Sequence, residues 1–117
     1  MLYHLALATD WDAARAAGEY RISTLGVTLE QEGFIHTSRS DQLHATAERF
    51  YRGVEAQLVL LQIDESLLSS PWRVDPVPGA ADGFPHVYGP INVSAVTRAE
   101  PVTALPGGGW AGLPAGV

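Results

Sequence analysis

The run Leu58-Val59-Leu60-Leu61, with Ile63 two residues on, constrains this chain more than any other stretch. Its apolar residues do not alternate with polar ones. A β-capable apolar run of this length is a strand covered on both faces, and such strands lie inside a sheet. Residues 2–8 read as a second strand, with Leu2, His4 and Ala6 on one face and Tyr3, Leu5 and Leu7 on the other. Both faces carry bulk, which predicts another inner strand.

Helical signals punctuate the strands. Thr9 or Asp10 is placed to cap a helix over 11–17 that Gly18 ends, and Ser23 or Thr24 a second short helix reaching Glu30. The best helical pattern covers 42–51: Leu43, Ala47 and Phe50 form its apolar stripe, Thr46 and Tyr51 flank it, and Gly53 stops it. His44 falls off the stripe and is expected to face solvent. Residues 72–77 read as a further strand, 78–83 as a loop, and 92–102 as either a helical turn or a closing strand.

With 117 residues there is material for one core. The expectation is a compact α+β domain over 1–104, with a mixed, largely antiparallel sheet and short helices. A Gly/Pro-rich flexible tail follows over 105–117. The net charge of −6 argues against general nucleic-acid binding. The absence of cysteine removes disulfides and thiol chemistry, and limits any metal site to histidine and carboxylate ligands. No apolar run has the length of a membrane span and the N-terminus lacks a signal-peptide pattern, so a cytoplasmic monomer or weak dimer is expected.

Chemistry concentrates in two motifs, Gly33-Phe34-Ile35-His36-Thr37-Ser38 and Phe84-Pro85-His86-Val87-Tyr88-Gly89-Pro90. If both are extended, Phe34, His36 and Ser38 share one face, as do Phe84, His86 and Tyr88. Imidazoles interleaved with aromatic rings make a floor for a small-molecule pocket. Arg21 and Arg39 are the arginines near enough in sequence to meet a phosphate.

Together with Gln42, Phe50-Tyr51 and Leu60-Leu61-Gln62-Ile63-Asp64, these motifs resemble a bacterial family called domain of unknown function 952. The resemblance spans about residues 2–103. It implies an ADP-ribosyltransferase-like fold, in which a split antiparallel sheet holds NAD or an ADP-ribosylated intermediate. By that likeness His4 would contact the adenosine ribose and His36 the nicotinamide side, with Ser38 close by. The glutamate that orients the nicotinamide ribose in those transferases has no counterpart in the motifs, and Asp75 and Glu100 match it by type only.

Three functions are compatible with these residues. In the first, a nucleotide such as NAD is bound or transformed in a histidine-lined cleft. His36 and His86 are then the catalytic pair, and His4, Phe34, Ser38, Arg39 and Tyr88 bind substrate; NAD enters as substrate rather than resident cofactor. In the second, the histidines with Asp75 hold a divalent metal and activate water. The third is a non-catalytic interaction module. Each histidine also has a structural reading: His4 as a core residue bonded to a backbone carbonyl, His36 as a tether to the following helix, His86 as part of a rigid turn.

Overall fold

A computed structural model describes residues 1–114. Strand β1 (Leu2–Leu7) passes directly into helix α1 (Ala8–Ala17). The helix starts ahead of the expected caps at Thr9 and Asp10: Leu7 is its N-cap residue and provides no side-chain bond, while Gly18 ends it in a left-handed conformation. Strands β2 (Glu19–Tyr20), β3 (Ile22–Thr24) and β4 (Val27–Thr28) follow.

The helix expected from Ser23 to Glu30 is instead the hairpin β3–β4 and a single turn, α2 (Leu29–Glu32). Val27 and Thr28 are β-branched and favour extended backbone, and Gly26 supplies the positive φ of the turn. Thr28 and Gln31 then form a reciprocal capping box, with bonds of 3.2 and 2.9 Å. Gly33, at φ +94°, closes α2 and launches β5 (Ile35–His36).

A 3-10 turn (Ser40–Gln42) leads into α3 (Leu43–Phe50), and then come β6 (Leu58–Ile63), β7 (Trp72–Asp75), β8 (Phe84–Val87) and β9 (Ile91–Asn92). The ambiguous 92–102 region resolves into a 3-10 turn (Val93–Ala95) and the long strand β10 (Val96–Ala104). Pro101 is accommodated because β11 (Trp110–Ala111) pairs only with Thr103 and Ala104, leaving the outer flank at Pro101 without a ladder. Thus part of the glycine-rich segment read as a tail is a sheet strand; residues 115–117 of that tail lie outside the described residues.

The main sheet has the order β1-β6-β10-β11, so the apolar run of β6 does sit inside a sheet. Alternate residues feed two cores. Leu61 and Ile63 join Leu2, Ala6, Trp11, Tyr20, Ile35 and Val87 on one face. Leu58 and Leu60 join Leu5, Leu43, Ala47 and Tyr51 on the other. Every strand pairing among the described residues is antiparallel, so the sheet is not mixed.

β1 is an edge strand rather than an inner one, covered on its free side at one point. There Tyr3 and Ser38 exchange both backbone hydrogen bonds at 2.8 Å. That bridge joins the main sheet to a second sheet of order β5-β8-β7. Its two faces differ: Ile35 and Val87 enter the core, while His36 and His86, paired in register, lie on the opposite face, His36 partly exposed and His86 buried. Phe50 departs from its expected place on the α3 stripe. Tyr51 is buried instead, its hydroxyl donating to the Leu5 carbonyl at 3.0 Å, and Phe50 is left 54% exposed.

Candidate functional site

Backbone pairing of β5, β8 and β7 gathers one polar-aromatic cluster. His36 opposes His86 and Arg73 opposes His86 from the other side, so all three side chains share a face. Thr37 fixes this register by donating its N–H and its hydroxyl to the Pro85 carbonyl at 3.1 and 2.7 Å. Phe34 stacks on His86 with centroids 4.1 Å apart and 21° between planes. It also meets His36 edge-on at 4.8 Å and lies 5.4 Å from Tyr88. The two imidazoles stand perpendicular, 5.0 Å apart.

Carboxylates orient both rings. Asp75 Oδ2 lies 2.7 Å from His86 Nδ1 and also accepts from the Tyr88 hydroxyl, while Oδ1 pairs with Arg73 Nε at 2.8 Å. The Tyr88 hydroxyl foremost, with His86 and Arg73, holds the Asp75 carboxyl below the usual carboxylate range against the opposing effect of burial. A carboxylate only accepts, so Nδ1 of His86 carries a proton, and the tautomer this fixes for the neutral ring has its lone pair at Nε2. That atom is buried and has no hydrogen-bond partner among the described residues. His36 Nε2 meets Glu32 Oε1 at 3.1 Å. Burial lowers the His36 pKa, opposed by the Glu32 contact.

His4 is elsewhere. Its Nδ1 lies 2.5 Å from the His36 carbonyl oxygen and its Nε2 2.9 Å from the Tyr20 hydroxyl. The carbonyl accepts, so Nδ1–H donates and Nε2 receives the Tyr20 proton. Burial lowers its pKa from 6.5 to about 4. Both nitrogens are occupied in the core, which leaves none for the ribose contact expected of His4. It supports His36 from behind instead.

A cavity of about 380 Å³ opens between the β1–β5 seam, α3 and the 76–83 loop. His36 and Phe84 belong both to its wall and to the histidine-bearing face of the second sheet. Ser38 lines it too, its hydroxyl 3.2 Å from that of Thr46 on α3. Arg39 does not: its guanidinium donates to the Gly83 carbonyl at 3.2 Å, where Gln42 Nε2 also donates at 2.9 Å, and so clamps the loop. Arg21 pairs with Glu30 and Glu19 at the surface. Of the two acids matched by type, Asp75 stands in the cluster, whereas Glu100 is an exposed partner of Arg98.

The metal arrangement is not formed. Among the described residues no group of three or more His, Asp or Glu is placed to hold an ion, and the nitrogens of His4 are turned into the core. Nor is any described helix long and apolar enough to cross a membrane.

Residues 5–99 match the family described as "Protein of unknown function (DUF952)". The chain belongs to the DUF952 family. It is 32% identical to protein CC0527 from Caulobacter crescentus, over 94% of this chain and 92% of that one, and superposes on that crystal structure with a TM-score of 0.80. Against the solution NMR structure of CC0527 the identity is 33%, the coverage 92% and 88%, and the TM-score 0.73. No curated protein matches the chain.

Within this DUF952 chain, sequence reasoning had not singled out Glu32, Thr46, Arg49 or the exposed Phe50 as members of a site. A signal existed for one of them. Phe50 and Tyr51 are adjacent aromatic residues on a single helix, and adjacent positions cannot both face one core.

Proposed function

We propose that the protein binds a ribonucleotide of the NAD or ADP-ribose kind in the cavity beneath α3, with the reacting end of the ligand at His36 and His86. The observation that carries this reading is the Asp75–His86 pair, whose far nitrogen is buried without a partner beside the cavity-lining His36. A carboxylate-oriented imidazole with a free lone pair accepts a hydrogen bond from a hydroxyl, such as one of a ribose. Phe84, on the cavity wall, offers a ring on which a planar base packs, whereas Phe34 and Tyr88 lie outside the lining and Phe34 backs the two imidazoles. The ADP-ribosyltransferase-like fold that the family resemblance implies points to the same ligand class.

Binding is favoured over group transfer. Asp75, the carboxylate within the cluster, is engaged by His86, Tyr88 and Arg73 and so is not free to orient the second ribose.

Calorimetric titration with NAD, ADP-ribose and AMP tests the reading. Saturable heats are expected on the wild-type chain. His36→Ala, at a half-exposed position, should weaken them by about ten- to a hundredfold, the equivalent of one ligand hydrogen bond. Flat titrations with all three ligands, on protein that is folded by circular dichroism, would overturn it.

A further inference from the structure

The charge content of the cavity differs from that of the chain. The sequence carries 13 acidic residues against seven arginines, yet no Asp or Glu lines the cavity among the described residues. The formally charged group in that lining is Arg49, exposed near the end of α3. Among the described residues it forms no ion pair, and its guanidinium carbon lies over the Phe50 ring, 5.2 Å from the centroid.

Its neighbour in sequence, Glu48, points to another side of the helix and is engaged there. It accepts from the Trp110 indole N–H at 3.1 Å and pairs with Arg52 at 3.6 Å. Arg49 itself lines the cavity. Beside it, Phe50 is 54% exposed with the Arg49 guanidinium over its ring, and the Ser38 and Thr46 hydroxyls belong to the same lining.

We infer that the α3 end of the cavity is a subsite for an anionic planar ring, with Arg49 pairing to a phosphate and Phe50 stacking on the ring. At about 380 Å³ the space is near the lower end of the roughly 300–1,000 Å³ usual for small-molecule sites. It accommodates one phosphorylated aromatic unit, and a dinucleotide extends beyond the mouth. This rests on the proposal that the cavity is the ligand site, but not on any chemistry of the histidines.

Titrations with two matched pairs test it: AMP against adenosine, and 1-naphthyl phosphate against 1-naphthol. Each phosphate is expected to bind about tenfold or more tightly than its neutral counterpart, with the advantage shrinking as salt is raised. Arg49→Gln should abolish the advantage and leave the neutral compounds unchanged, and Arg49→Lys should retain part of it. Phosphates that bind no better than their neutral counterparts, or a preference that survives Arg49→Gln, would overturn the inference while leaving nucleotide binding standing if AMP still binds. Arg49-dependent binding of naphthyl phosphate, with AMP, ADP-ribose and NAD all silent, would support the inference and remove the nucleotide reading. No binding by any of these compounds overturns both.

Discussion

His4 holds His36 by its backbone: the imidazole Nδ1–H donates to the His36 carbonyl at 2.5 Å while Nε2 accepts from the Tyr20 hydroxyl. One buried ring thus ties the first strand to the strand that carries a site residue, and ties both to β2. A neutral histidine is well suited to this place, since it offers one donor and one acceptor on opposite edges and carries no charge into the core.

Removing either end of that bridge should destabilise the fold. Tyr20→Phe leaves Nε2 of His4 buried without its donor, at a cost of about 1–3 kcal/mol. His4→Ala additionally opens a void and strands the His36 carbonyl, so about 3 kcal/mol or more is expected. Urea unfolding of both variants and the double mutant checks this. Costs that add without coupling would show that the bond contributes nothing.

The same residue sets a pH dependence. With a folded pKa near 4 against an ordinary 6.5, the unfolded chain binds the extra proton between these values. His4 therefore contributes stability that is fully present above about pH 6.5 and is lost as pH falls toward 4, a loss of about 3 kcal/mol at most. The urea midpoint should fall between pH 7.5 and 4.5, and His4→Gln should flatten the decline. An equally steep fall in the variant would assign it to other groups.

Asp75 should govern the tautomer of His86. In the wild type the proton of the neutral ring resides on Nδ1, facing the carboxylate at 2.7 Å. Asp75→Asn removes the obligate acceptor and allows the amide to donate toward Nδ1, which shifts the proton to Nε2. Long-range nitrogen–proton correlation spectra of the imidazole read this directly. An unchanged pattern in the variant would mean that Asp75 does not orient the ring.

Sequence alone determined the features set by neighbours along the chain. The unbroken apolar run marked β6 as a strand inside a sheet, because only such a strand hides both faces. The α3 pattern, the stop at Gly18 and the extended histidine motifs follow from equally local rules of periodicity and glycine geometry.

What sequence could not determine is which edge of each ring meets what. His4 and His36 look alike as strand histidines and both reach the cavity wall, yet contacts across 32 and 16 residues engage both ring nitrogens of His4 in the core. Trp110 reaches Glu48 from 62 positions away, and the orientation of His86 depends on Asp75 across a neighbouring strand. Hydrogen bonds to side chains are directional and short, so the site exists only once the tertiary fold has chosen each partner. Hydrophobic burial is neither directional nor selective of partner, and for that reason the sheet was visible in the sequence while the site was not.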